Sequence, residues 1–438
     1  MNIDQLIYTT NFGSQKTQAQ AQLDIWNLAQ NSDNVPASIA PIYWARGQEK
    51  LLHNFTVPAF NLRGLTYQVA QEIFKQAQKN QVGLFIFELA RSEMSYTGQS
   101  PAIYVSNILA AAIKTKWNQP IFIQTDHFQV KQNQGQIDPQ DLESLKLLIK
   151  QAIQAGFYNI DLDGSPLITK SQSLNEQQQN NASYVAMLSN YIRTIEPTGI
   201  HISLGGEIGE IGSQHNSTTT DVTAFMDLFL AKFGQQAKGL SKLAVQTGTS
   251  HGGVVDPQGK VMRTQVAFEN IKKLSQFCRQ KYGLGGVVQH GASTLSPEEF
   301  TKFPAAQAIE IHLATGLQNI IFDHPSFPTS LLTKIYAWID QNLSTEKKSK
   351  QSTAQFHYKL RKKAWKEFGQ EIFTLDEKTL APILQTLSEK FDFYFNSLGV
   401  NQTNKIVTKY IQPIKIEHQL DDYLISNNDD NQSSHLAD

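Results

Sequence analysis

The chain has one cysteine, Cys278, in 438 residues. That excludes an internal disulfide framework and any cysteine-rich zinc or iron–sulfur site. It also lacks net charge: 38 Lys+Arg against 39 Asp+Glu leave −1, so there is no electrostatic footprint for nucleic acid or an anionic membrane surface. No apolar run approaches the roughly 20 residues needed to cross a bilayer. Met1–Gln20 is polar, without a basic stretch leading into an apolar core, so no signal peptide is expected. Neither G-x-G-x-x-G nor G-x-x-x-x-G-K-[ST] occurs at a strand-to-helix turn, which removes support for a dinucleotide or P-loop site. What remains is a globular chain of a reducing compartment, expected to be cytoplasmic, 40% hydrophobic and 18% charged. It is long enough for one large α/β domain with extensions, or for two domains.

Residues 1–54 read as an N-terminal extension, with weak helical periodicity over Thr17–Gln30 and a Pro-interrupted connector over Val35–Gly47. From Phe55 the chain alternates between apolar β-type runs and helical spacing. Strands are expected at Phe55–Leu62, Gly83–Leu89, Pro120–Asp126, Tyr158–Asp163, His201–Gly209, Leu243–Thr249, Gly286–Gln289 and Ala308–Thr315. Helices are expected at Leu65–Lys79, Pro101–Trp117, Asp138–Ala155, Asn175–Ile195, Asp221–Phe233, Thr264–Tyr282, Ser296–Phe303 and Thr329–Asn342. Asp138-Pro139 and Ser296-Pro297-Glu298-Glu299 are helix starts, and Gly156 and Gly283 sit where helices should stop. Eight strands alternating with eight helices over residues 55–342 predict a (β/α)₈ TIM barrel. Residues 343–416 read as a C-terminal helical extension. It holds a basic helix and an amphipathic one within Gln355–Gly399, then a strand or strap over Asn404–Ile416. Residues 417–438 are polar and acidic, the composition of a disordered tail.

Three strand ends share one design: QPIFIQTDH, LAVQTGTSHGG and GVVQHGAS. They deliver Asp126-His127, His251 and His290, and a fourth end delivers Glu207. A lone histidine in a Gly-rich turn is commonly just solvent-facing. Several at the C-terminal strand ends of one barrel share a rim and can converge. Three neutral imidazoles leave a zinc ion one open position, which suits a catalytic metal able to polarise a carbonyl. Asp126, beside such a metal, can move a proton to or from a hydroxyl, and Glu207 is an alternative ligand or an acid behind the ligands. The turns Gly252-Gly253 and Gly291-Ala292-Ser293-Thr294 offer backbone N–H groups for a phosphate near the last strands. Of the other histidines, His201 lies at the wrong end of its strand and His215 in a polar loop, while His312 lies inside the last strand.

The segments VPAFN, QTDH, GGEIGEIG, TGTSHGG, QHGAST and LATG, in this order, resemble the class II, metal-dependent ketose-bisphosphate aldolases over roughly Thr56–Gln318. The resemblance implies that His127, His251 and His290 bind zinc or another divalent metal, with Glu207 binding it in an alternative position. It implies Asp126 as the carboxylate that exchanges the C4 hydroxyl proton, and Asn61 as a residue that helps hold the enediolate. It implies Gly252, Gly291, Ser293 and Thr315 at the ketose phosphate, with a monovalent cation nearby. A phosphorylated ketose is the implied partner, most simply fructose 1,6-bisphosphate, and the extensions suggest a homodimer or homotetramer. An arginine from a neighbouring subunit binds the second phosphate in many such enzymes, which makes Arg361 a candidate, although a solvated face explains that basic helix as well.

Four departures bear on substrate. Thr294 stands where the family has a glycine, His312 where it has an asparagine, and Ala90 where a phosphate-binding serine is usual. The loop Ile211–Thr220 holds no acid to serve as a second proton carrier, which leaves His215 as one substitute. The alternatives are a tagatose 1,6-bisphosphate or other phosphosugar aldolase, a non-catalytic aldolase-like partner subunit, and a phosphosugar-binding protein.

Overall fold

The computed structural model describes every residue except 1, 134–135, 170–172, 210–215, 235–237, 249–255, 259–264 and 425–438. All eight expected strands form: β1 Val57–Asn61, β2 Ile86–Ala90, β3 Ile121–Phe128, β4 Asn159–Leu162, β5 Ser203–Glu207, β6 Lys242–Ala244, β7 Val287–Gln289 and β8 Glu310–Leu313. Neighbours pair in parallel, and β8 returns to β1 through Glu310↔Val57, so the sheet closes into a (β/α)₈ barrel. Because each strand packs a helix outside and a layer inside, the strands are buried on both faces.

The punctuation read from sequence operates as expected. Asp138 accepts hydrogen bonds from the backbone of Gln140 and Asp141, capping Pro139–Ala155. Gly156 and Gly283 end their helices in the left-handed region, at φ +110° and +68°. The run Ser296–Phe303 divides into Pro297–Phe300 and Lys302–Ala305. Pro304 has no N–H to donate to the Phe300 carbonyl, which favours a break between the two turns.

The terminal regions hold more structure than expected. Helices Ile3–Phe12 and Gln15–Asn31 replace the single weak helix, and the connector 35–47 contains strand Pro36–Ala37 and helix Ala40–Gly47. That helix plugs the barrel floor. Arg46, fully buried, donates to the carbonyls of Phe55 (2.7 Å), Gln307 (3.0 Å) and Ala308 (3.3 Å). Burial, helped by Arg279, lowers the Arg46 guanidinium to about 9. Tyr43 reaches into the barrel and donates to Glu310 Oε2 at 2.5 Å.

At the other end, helix Glu377–Ser397 lies on Thr66–Lys79, with Phe391 edge-on to Phe60 at 5.1 Å. Helix Thr353–Leu360 runs into short turns that carry Trp365 against Gly64, where a Cβ would come within 2.0 Å of the indole. Residues 404–416 are the helix Asn404–Tyr410 followed by an extended strap. Residues 417–424, expected to be disordered, are ordered. His418 stacks on Trp26 at 3.8 Å and accepts from or donates to Tyr423 at 2.7 Å, so two aromatic rings anchor residues that look polar on average. The rest of that tail lies outside the described residues.

Replacing Arg46 with Ala leaves three buried carbonyls short of a charged donor, at a net 1.5–3 kcal/mol for each such bond. Urea unfolding should therefore show a loss of about 3 kcal/mol or more. A loss below about 0.5 kcal/mol would remove the floor plug from the account of stability.

Candidate active site

Strand β3 carries the pivot of the site. Consecutive residues of a regular strand face opposite sides. Here the β3–β4 pairing shifts register between Thr125 and Phe128, and His127 adopts φ +42°. This irregularity brings both side chains to one place: Asp126 Oδ1 lies 3.4 Å from His127 Nε2. A non-glycine residue in that region carries about 1–3 kcal/mol of strain, a cost that recurs at functional sites.

Strand β7 is followed directly by His290, whose Nδ1 is 2.9 Å from His127 Nε2 and 3.8 Å from Asp126 Oδ1. Behind His127, its Nδ1 lies 3.0 Å from Asp163 Oδ2 and 3.0 Å from Glu207 Oε2. Two imidazole nitrogens thus converge on one point, and carboxylates back one of the rings. Ligand atoms about 2.0–2.1 Å from a tetrahedral zinc lie about 3.3 Å apart, and the two imidazole nitrogens, 2.9 Å apart, come close to that value. The donor set fits a divalent metal held by His127 and His290. Glu207 stands beside the other nitrogen of His127, 4.0 Å from His290 Nε2, where it could orient that ring or bind a metal in the alternative position. The third expected ligand, His251, and its neighbour Gly252 lie outside the described residues, as does His215.

The substrate-facing candidates form a rim around this pair. Asn61, at the end of β1, donates Nδ2 to Glu93 Oε2 at 2.5 Å, which leaves its buried Oδ1 without a hydrogen-bond partner among the described residues. Glu93 also accepts from Arg63 Nε at 2.7 Å, and Arg63 donates to Thr315 Oγ1 at 3.3 Å. Thr315 opens helix Thr315–Phe322, whose first N–H groups have no partner within the helix. The turn Ala292–Thr294 follows Gly291 at φ +68° and packs on that helix start: a Cβ on Gly316 would lie 2.2 Å from the Ser293 carbonyl. Gly291, Ser293 and Thr315 are therefore neighbours. Arg361 is not at this rim. It is buried, paired with Asp323, and donates to Asn319 at 2.6 Å. His201 lies away from the site, bonded to Glu196 at 2.8 Å beside Trp44.

Beneath the histidines lies an ionic layer that the sequence reading missed. Lys242 Nζ contacts Glu310 Oε1 (2.6 Å), Asp161 Oδ2 (2.9 Å) and Gln124 Oε1 (2.6 Å). His312 Nε2 meets Glu310 at 2.7 Å, and its Nδ1 lies 3.0 Å from Glu88 and 3.1 Å from Asp126. The available signals were a charge inside an apolar run (Glu88 in FIFELA) and the Asp161-x-Asp163 spacing, which puts both acids on one strand face.

Burial of so many acids sets their protonation. Glu207 is pushed up to about 8 by burial and by Asp163. Burial alone would depress His127, but Asp126, Glu207 and Asp163 outweigh it and hold the ring well above its ordinary value. Asp163, buried as well, is held below the usual carboxylate range by its bond to His127.

Comparison with known proteins adds to this geometry. Residues 49–372 match the family described as fructose-bisphosphate aldolase class-II. No curated protein matches the chain. Among solved structures it is similar to a fructose-bisphosphate aldolase from Campylobacter jejuni, with 16% identity and a TM-score of 0.50, covering 84% of this chain and 97% of that one. It is also similar to a protein from Sinorhizobium meliloti 1021 described as a probable tagatose 6 phosphate kinase, with 12% identity and a TM-score of 0.51, covering 87% and 100%. At these identities the two structures speak to the fold.

Two outcomes follow from the site. Asp163→Asn, which weakens the group orienting His127, should lower zinc affinity about 10–100-fold in competition with a chromogenic chelator; unchanged affinity would separate Asp163 from the metal. Metal uptake at pH 7 should release at least one proton, because the metal-free site holds protons on His127 that a ligand cannot keep. Calorimetry in two buffers of different ionisation enthalpy reads that number directly, and a value of zero would contradict the assignment.

Proposed function

Because the chain belongs to the class II fructose-bisphosphate aldolase family and is an aldolase-type carbon–carbon lyase, we propose that it is a zinc-dependent enzyme cleaving a ketose 1,6-bisphosphate, foremost fructose 1,6-bisphosphate. Its products are then dihydroxyacetone phosphate and glyceraldehyde 3-phosphate. The observation that carries this reading is the convergence of His127 Nε2, His290 Nδ1 and Asp126 Oδ1 at the barrel mouth. The ligand set is His127, His290 and His251, with Glu207 as the alternative ligand. Such an ion, when bound, supplies Lewis acidity that draws electron density from a substrate carbonyl.

The chain's own residues do the rest. Asp126 takes the proton of the C4 hydroxyl; that oxygen's electron pair forms the aldehyde, and the C3–C4 electrons move toward the C2 carbonyl. Asn61, fixed by Glu93, offers its free Oδ1 to the ketose fragment. Gly291, Ser293 and Thr315, with Gly252, hold the ketose phosphate, and Arg63 adds positive charge beside Thr315. A proton returned to C3 completes the cycle. A monovalent cation at that phosphate belongs to the same reading.

We place the enzyme in the cytoplasm, as a homodimer or homotetramer with the barrel at 55–342 and terminal extensions on either side. Among the described residues no helix is long and apolar enough to cross a membrane. Light scattering that gives the mass of one chain would remove the assembly.

The test is a coupled cleavage assay on fructose and tagatose 1,6-bisphosphates, with and without chelator. Chelator-sensitive cleavage is expected, with fructose 1,6-bisphosphate preferred, and Asp126→Ala should lower kcat by about 10²–10⁴ with zinc still bound. Zinc bound without cleavage of either sugar would favour a different phosphosugar. An absence of both zinc and cleavage would favour the non-catalytic partner reading.

A further inference from the structure

We propose that His312 is the positioning residue for Asp126, holding its carboxylate in the orientation from which it reaches the substrate hydroxyl. This inference rests on the function proposed above and adds a residue to it. His312 is buried, and both its ring nitrogens face protein carboxylates, which leaves neither for a sugar. Its ring is instead fixed from several sides. Nε2 meets Glu310 Oε1 at 2.7 Å, and Glu310 is itself held by Lys242 at 2.6 Å and by Tyr43 at 2.5 Å. Nδ1 faces Glu88 Oε2 at 3.0 Å and Asp126 Oδ1 at 3.1 Å. The barrel floor, through Tyr43, Glu310 and His312, is thereby linked to the carboxylate at the mouth.

Asp126 needs such a hold for two reasons. The backbone around it is irregular, with the register shift beginning at Thr125 and the left-handed His127 next in sequence. Such an irregularity re-aims the side chain and locally disrupts the ladder that would otherwise hold it. The same carboxylate oxygen also lies 3.4 Å from His127 Nε2 and 3.8 Å from His290 Nδ1, the two nitrogens that face a metal. Without a competing partner it would be drawn in as a further metal ligand and lose its basicity. His312 supplies that partner from below, 4.0 Å ring to ring from His290.

The test compares wild type, His312→Leu, His312→Asn and Asp126→Ala in two reactions. One is cleavage of fructose 1,6-bisphosphate. The other is exchange of the C3 hydrogen of dihydroxyacetone phosphate with D₂O, which involves no C4 hydroxyl and so does not use Asp126. Metal content and melting temperature are read on each preparation, which excludes misfolded variants. His312→Leu should lose cleavage about 100-fold in kcat with KM within about 3-fold, and should keep exchange, as should Asp126→Ala. His312→Asn retains a side-chain N–H at a similar reach and should recover cleavage to within about 10-fold of wild type. In the cobalt-substituted protein, the visible spectrum should change in the Leu variant and not in the Asn variant. Equal loss of both reactions in His312→Leu, or loss of neither, overturns the proposal. A wild type inactive in both reactions removes the aldolase reading itself, and this inference with it.

Discussion

The barrel interior holds more negative charge than its own cations can balance. Among the described residues, Glu88, Asp126, Asp161, Asp163, Glu207 and Glu310 are all buried, against one buried ammonium, Lys242. Carboxylates removed from water must be protonated, paired or placed beside a metal. Lys242 serves Glu310 and Asp161 and is used up there. The acids nearer the mouth surround His127, and they hold either protons or a divalent cation in place. The protonation of Glu207 and His127 and the convergence of two imidazole nitrogens are two expressions of that requirement.

The fold meets this demand in layers. Ala40–Gly47 closes the floor and sends Tyr43 inward; the Lys242 layer sits above it; the histidines occupy the mouth. Where a TIM barrel commonly fills its interior with branched aliphatic side chains, this one uses a hydrogen-bonded ionic network. Such a network specifies geometry when its members are satisfied and is costly where they are not. It ties the strained turn at Asp126-His127 to rigid parts of the structure, which keeps a distorted segment in a single arrangement.

Much of this was legible in the residues. The eight strands and the barrel followed from periodicity and from punctuation by Asp138, Gly156 and Gly283. The histidine-bearing strand ends were legible because small residues and a histidine after an apolar run are locally unusual. The ionic layer was not, since Glu88, Asp161, Lys242 and Glu310 are far apart in the chain, and only closure of the barrel shows that they meet. His312 illustrates the difference. Its replacement of an asparagine and its place inside the last strand, where it can face the barrel, were visible, but that it meets Asp126 depends on a register between β8 and its neighbours that no local pattern encodes. Arg361 failed in the opposite sense: a basic run suggested a phosphate contact, and the fold spends the guanidinium on Asp323. Residues 417–424 were misjudged because average composition hides single anchors such as His418 and Tyr423.

The central claim is that a divalent metal sits between His127 Nε2 and His290 Nδ1. Anomalous diffraction from crystals of the purified protein, collected on both sides of the zinc edge, tests it most directly. The account predicts one strong peak within about 2.0–2.1 Å of both nitrogens. A peak lodged elsewhere in the barrel, or crystals of active protein with no peak at that point, would contradict it.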